Sequence, residues 1–257
     1  MGDQMAEAIT ILVTPVWKDS ARLSDFGREL AAELAKRGSA IRWIIADDGS
    51  GADEVQRLED LCAEFAGTYP HVRVHPAKVH YGKGSVVREA WALEPEAGWL
   101  AFVDADGSVS APDMLDLIGR AEKSGRSTIA IRKNTETTRV HEGPFRWIRH
   151  HGFLLACRLI LKIRSEDTQC GAKVLKGADY RIIENRLVEP GLAFDAELLA
   201  EMTEAGIEWD EVPVNWVRKG GSRIHGVRDV WTMLRALFRI RSRLGKATAA
   251  GSKGAAP

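Results

Sequence analysis

The sequence predicts an α/β protein with a mostly parallel sheet flanked by helices. Three observations carry that reading. Short β-branched, apolar runs alternate with segments of helical periodicity through the first 132 residues, which is the pattern of βαβ units. Two of those runs end in acidic turns, Asp47-Asp48-Gly49-Ser50 and Asp104-Ala105-Asp106. Open α/β sheets bind ligands outside the carboxyl ends of their strands. At 257 residues the chain can bury the core of one domain or slightly more.

The elements follow in order. Residues 9–14 (Ile-Thr-Ile-Leu-Val-Thr) form a buried first strand that Pro15 is expected to end. Phe26, Leu30 and Leu34 stand at helical spacing in 24–36, and Gly38 is placed to stop that helix. Residues 41–46 form the second strand, 53–65 a helix and 72–74 a short strand. A glycine-rich turn at 80–85 feeds a helix reaching residue 93. The run 99–103 is a strand leading into Asp104, Pro112 opens a helix over 112–122, and 127–131 is a further strand. The pattern then changes. We expect a polar loop at 134–142, a long apolar and basic helix at 145–163, a strand at 170–175 and a helix at 192–205. A strand over 208–217, a loop at 220–222 and a basic amphipathic helix at 227–244 complete the chain, with a disordered tail at 245–257. This divides it into a ligand-binding half (8–132), a second half (133–226), the helix and the tail.

Composition narrows the function. Lys plus Arg and Asp plus Glu both number 36, so bulk charge gives no reason to expect nucleic acid as a partner. The three cysteines, Cys62, Cys157 and Cys170, make no CxxC pair, which fits reduced thiols and not a zinc or redox site. No apolar run is long enough for a signal peptide or a spanning helix. The expected location is cytoplasmic, at the inner face of a membrane if a membrane is touched at all.

Asp104 and Asp106 stand at i and i+2 behind a strand, so both carboxylates can enter one site. Hard cations such as Mg²⁺ or Mn²⁺ prefer such oxygen ligands, and a metal held there can carry a diphosphate. Paired aspartates also cap turns. Asp47 and Asp48 suit ribose hydroxyls or a base N–H, with an ordinary turn as the alternative. Gly82-Lys83-Gly84 lets backbone and an ammonium approach phosphate at a helix start, or is a loop with a solvated lysine; it is not a Walker loop.

In this order these residues resemble the nucleotide-sugar half of family 2 glycosyltransferases, which have the GT-A fold. Asp167-Thr-Gln-Cys-Gly-Ala-Lys173, Phe194-Asp-Ala-Glu-Leu-Leu199 and Val214-Asn-Trp216 followed by Gly221-Ser222 are similar to dolichyl-phosphate glucosyltransferases and bacterial polyprenyl-phosphate relatives. The resemblance covers residues 9–244, and the seven-residue run is its specific part. It implies donor contacts at Pro15, Asp19, Asp47, Asp48, Lys83, Asp104, Ala105, Asp106 and Arg132, and metal at Asp104 and Asp106. It also implies a reacting-centre acid, Asp195, and acceptor contacts that include Gln169. The chain departs from the family at Val16-Trp17-Lys18-Asp19, where Tyr-Asn-Glu is usual, and at Ala172, where phenylalanine is common. It is also expected to do without the N-terminal membrane helix of the eukaryotic relatives and the long C-terminal membrane hairpins of other bacterial ones.

The expected activity is metal-dependent, inverting transfer of a hexose, glucose by analogy, from a UDP-sugar to a polyprenyl phosphate. Arg146 and Arg149 are candidate partners for the acceptor phosphate, or form a solvated helix face. A hydroxyl of a small molecule or glycan is the alternative acceptor, with Asp195 as base. A third reading is a nucleotide-sugar-binding module without catalysis. Residues 220–225 have the composition of a closing loop, with Arg223 or His225 reaching diphosphate or metal. The helix at 227–244 has an apolar face and five arginines, Arg228, Arg235, Arg239, Arg241 and Arg243. It suits an anionic membrane surface, its own domain, or the partner subunit of a homodimer.

Overall fold

The computed structural model describes residues 8–37, 41–141, 144–217 and 226–253, with side chains except at 141–149, 226–230 and 245–253. Strands β1 (Thr10–Val16), β2 (Ile41–Asp47), β3 (Val72–Pro76) and β4 (Trp99–Val103) are parallel and lie in the order β3-β2-β1-β4. Helices α1 (Ser20–Arg37), α2 (Ala52–Ala66) and α3 (Lys83–Trp91) make the crossovers. The chain steps outward from β1 to β3 and returns to the other side of β1 with β4. That reversal opens a crevice at the carboxyl ends of β1 and β4.

Alternation within the strands builds the two layers. Ile11 and Val13 of β1 face one apolar cluster, with Val86, Val87 and Trp91 of α3. Leu12 faces the other, with Leu23, Phe26 and Leu30 of α1. Helix α4 (Ala111–Ser124) joins the second cluster through Met114, Leu117 and Ile118. The Asp113 N–H donates to the Ser110 hydroxyl at 3.2 Å at its start, and Gly125, at φ 70°, ends it.

Pro15 does not end β1. The strand continues to Val16 with Pro15 opposite Ala46 of β2, but its pairing with β4 stops at Val13. Past Val13 one side of β1 is an edge, where a residue without an N–H costs no ladder bond.

The parallel run also breaks where the sequence pattern continued. Strand β7 (Ala172–Lys176) lies between β4 and β5 (Ser127–Ile131), antiparallel to both, and β8 (Trp209–Pro213) pairs parallel to β5. The resulting order is β3-β2-β1-β4-β7-β5-β8. Both halves of the chain therefore share one sheet, and the run ending at Lys173 is carried to the edge of the crevice.

In the second half, β6 (Val140–His141) pairs with β9 (Trp216–Val217). The expected strand over 208–217 is thus two strands. The long helix is α5 (Pro144–Ala156), which passes into a π-helical turn at Cys157–Leu161. Helix α6 (Gly177–Ile183) is an addition to the expected elements, and α7 (Phe194–Glu204) lies inside the expected 192–205. Helix α8 (Gly226–Lys253) runs on through most of the segment expected to be disordered. Its Met233, Ala236, Leu237, Ile240 and Leu244 are buried in the α3-side core, so one face of this helix packs on its own domain. Among the described residues no helix is long and apolar enough to cross a membrane. All three cysteines are free, and burial pushes the Cys157 and Cys170 thiols up to about 12, which leaves them unreactive.

Candidate active site

A cavity of about 670 Å³ occupies the crevice. Pro15 and Asp19 reach it from the end of β1, Asp48 from β2, Lys83 from α3, and Asp104, Ala105 and Asp106 from β4. Seven of the expected donor contacts thus converge on one cleft.

Asp104 sits at its floor in a chain of alternating charge. The Lys83 ammonium lies 2.9 Å from Asp104 Oδ1 and 3.1 Å from Asp195 Oδ2. The Lys173 ammonium pairs with the other oxygen of Asp195. Both ammoniums also stand over the Phe102 ring, at 4.5 and 5.4 Å from its centroid. Burial pulls the Lys83 ammonium down, but Asp104 and Asp195 outweigh it and the net shift is upward. Burial likewise pushes the Asp195 carboxyl up, and Lys173 and Lys83 more than reverse it. Asp104 goes the other way. Its burial, with Asp106 and Asp195 nearby, raises its carboxyl despite Lys83.

The seven-residue run is explained by what its members hold. Asp167 takes Arg132 in a two-pronged pair, 2.6 Å from Nε to Oδ2 and 2.9 Å from Nη2 to Oδ1, and His150 Nε2 lies 3.4 Å from Oδ1. Lys173 holds Asp195. The Asp104 N–H donates to the Gly171 carbonyl at 2.8 Å, and a Cβ on Gly171 would lie 2.2 Å from Asp104 Oδ2. Gly171→Ala is therefore expected to displace the Asp104 carboxylate and lower turnover by roughly tenfold to a hundredfold, as misplacement of about 1 Å does in active sites. Steady-state kinetics, with a melting curve to confirm folding, checks it.

Asp106 turns its Oδ1 to the Ser108 N–H at 2.9 Å, and Arg22 lies 3.7 Å from Oδ2 while also pairing with Asp19. Among the described residues no group of three His, Cys, Asp or Glu is gathered tightly enough to hold an ion alone. Two cleft-facing carboxylates with unused lone pairs fit Mg²⁺ or Mn²⁺ of the kind completed by substrate phosphates. Asp104 and Asp106 are the residues that would hold it.

The second acidic turn divides its work. Asp47 is fully buried and lies off the cavity lining; its Oδ2 accepts the Ser50 N–H at 3.0 Å. Asp48 faces the cleft. Its Oδ1 accepts the Tyr81 and Gly82 N–H groups at 3.0 and 3.1 Å. The glycines beside Lys83 answer to protein and not to phosphate. A Cβ on Gly82 would lie 2.7 Å from the Pro190 carbonyl oxygen, and one on Gly84 2.5 Å from that of Glu189. Lys83 alone of that trio carries charge into the cleft.

Other expected contacts lie elsewhere. Arg132 is buried against Asp167 and does not line the cavity, nor do Gln169 and Asp195. The Gln169 side-chain nitrogen is 4.0 Å from Met233 Sδ. Arg146 and Arg149 belong to α5, but their side chains lie outside the described residues, as does the whole of His225. The sequence reading missed one wall of the cleft. Residues 189–193, with Thr232, Met233, Ala236 and Arg239 of α8, line it. Arg239 and Arg243 clamp Glu189 at 2.8 and 3.0 Å, and Arg243 also holds Glu197 at 2.6 Å. The available signal was Glu189 beside Pro190-Gly191, an acid at a turn, with the basic helix only later in the chain at 227–244.

The chain is similar to several known proteins. A dolichyl-phosphate beta-glucosyltransferase of Saccharomyces cerevisiae is 28% identical over 252 residues, covering 91% of this chain and 75% of that one. Another from Trichomonas vaginalis is 28% identical over 235 residues, covering 85% and 67%. Glucosyl-3-phosphoglycerate synthase of Mycobacterium tuberculosis, solved with Mn²⁺, UDP and glucosyl-3-phosphoglycerate, superposes with a TM-score of 0.62 at 17% identity, over 93% of this chain and 80% of that one. The sheet order and flanking helices are those of the GT-A fold. Residues 13–175 match Glycosyl transferase family 2, and the chain belongs to that family.

Proposed function

We propose that this glycosyltransferase moves a hexose, glucose by analogy with its relatives, from a UDP-sugar to a polyprenyl phosphate with inversion at the anomeric carbon. The supporting observation is Asp195, the acid offered as a base, tied between Lys83 and Lys173. A carboxylate held so firmly ionised is a weak proton acceptor. A phosphate acceptor is already anionic and needs no base, whereas a hydroxyl acceptor does.

Each residue then has a task. Asp48 orients the nucleoside. Asp104 and Asp106 present the two carboxylates for Mg²⁺ or Mn²⁺, which when bound neutralises charge on the departing diphosphate. Lys83 fixes Asp104 in place, and Asp195 with Lys173 fixes Lys83. The acceptor oxygen attacks from the face opposite the diphosphate. Radiolabelled UDP-glucose incubated with polyprenyl phosphate tests the reading, because label should move to the organic phase. Label that stays aqueous and is transferred only to hydroxyl acceptors would replace it with the alternative.

Helix α8 supports a lipid acceptor and a peripheral place at the cytoplasmic face of a membrane. Thr232 and Arg239 border the cleft, while Trp231 and Phe238 on the same helix are 59% and 63% exposed with Arg235 beside them. Leu155 and Leu159 are exposed on the neighbouring α5 and π turn. Exposed aromatics interspersed with arginine suit an anionic bilayer surface. The double change Trp231→Ser and Phe238→Ser is expected to weaken binding to vesicles containing anionic lipid by roughly tenfold or more. Flotation measures it, and a wild-type protein that never floats would remove the membrane from the proposal.

A further inference from the structure

Resting on the donor-site reading above, we infer that His80 occupies the nucleobase position in the ligand-free protein and must leave before the donor nucleotide can bind. His80 stacks on Trp17 with ring centroids 4.1 Å apart and planes 12° apart. Its Nδ1 lies 2.9 Å from Asp48 Oδ2 and 3.2 Å from the Asp48 carbonyl oxygen. Both neighbours accept only, so Nδ1 carries the proton. Both rings line the cleft beside Asp48.

A flat ring on an indole face, with an in-plane N–H aimed at a carboxylate, is also how a pyrimidine-2,4-dione would sit there. The two cannot share the place. Asp48 Oδ1 already accepts two backbone N–H groups, from Tyr81 and Gly82. Oδ2 is the oxygen left for a ligand, and His80 has it. The histidine can yield, because its side chain is 44% exposed and it sits between the exposed Val79 and Tyr81. A base stacks on an aromatic side chain strongly enough to displace an imidazole whose outer face is open to solvent. The cost appears as a reduced apparent affinity, since only the fraction of protein with His80 swung out is competent to bind.

His80→Ala is therefore expected to bind UDP tighter than wild type, by roughly three- to tenfold in Kd. Calorimetry with UDP and Mn²⁺ measures this. In the wild-type protein, NMR of the His80 ring protons should show shielding by the indole without ligand and its loss on adding UDP. Equal or weaker UDP binding by a folded His80→Ala protein overturns the inference, and so does a His80 ring signal that UDP leaves unmoved. Should the variant fail to fold, the wild-type NMR titration alone decides. If folded wild type and variant both fail to bind UDP, the donor reading itself is wrong and the inference falls with it.

Discussion

Asp104→Asn is expected to lower sugar transfer by roughly a hundredfold to a thousandfold, the range seen when one group stabilising developing charge is removed. The amide nearly preserves the shape of the carboxylate and its place beside Gly171, so the melting temperature should change little. What is lost is a formal charge on the cleft floor. Lys83 would keep its pair with Asp195 at 3.1 Å but would leave a positive centre where the site now presents a negative one. The variant should therefore also need more Mn²⁺ for half-maximal rate. Chelation of the divalent ion by EDTA should mimic it in the wild type and be reversed by adding metal back. A folded variant with wild-type turnover and an unchanged metal requirement would remove Asp104 from the centre of the site.

Asp167→Ala should give the largest loss of stability, about 3–5 kcal/mol, because it removes the carboxylate that forms a two-pronged pair with a buried guanidinium. Asp167 is fully buried and the Arg132 side chain is 4% exposed, so water cannot replace the lost partner. Urea unfolding at neutral pH measures it. The same pair sets a pH window. Burial opposes ionisation of Asp167, but Arg132, aided by His150, holds its carboxyl far below the ordinary range. A group with a depressed folded value contributes stability above its unfolded value, about 3.9 for aspartate, and loses it as pH falls through the folded value. Asp167 should thus add nothing to the pH dependence near neutrality. Asp167→Asn should unfold with a shallower loss of stability below about pH 4 than wild type. A wild-type slope unchanged by that substitution would assign the acid sensitivity to other carboxylates.

Local pattern made the donor side legible. The run from Trp99 to Val103 is apolar throughout and stops at an acid, and the observed β4 has those bounds. Ser127–Ile131 reads equally plainly. What escaped depends on contacts remote in sequence. Nothing in residues 172–176 says that their strand runs antiparallel between β4 and β5. Pro15 looked like a terminator because the missing partner on its β4 side is a property of the sheet. The run around Gly171 was visible as a motif, yet its members serve Arg132, Asp104 and Asp195 separately. Those pairings exist only once the strand is inserted. The cleft wall from α8 escaped for the same reason. An amphipathic helix has an apolar stripe whether it meets a bilayer or its own core, and here Leu237 and Ile240 meet the core while Trp231 and Phe238 do not.

The insertion of β7 also constrains how substrates come and go. Two lobes joined by a hinge can part like jaws, but these two are stitched through a continuous ladder of backbone bonds from β4 across β7 to β5. Parting them would tear that ladder, so the frame that fixes Asp104 is expected to stay rigid while substrates bind and leave. Entry and exit then fall to movements of side chains and surface segments at the rim, and turnover should be tuned there without loosening the foundation.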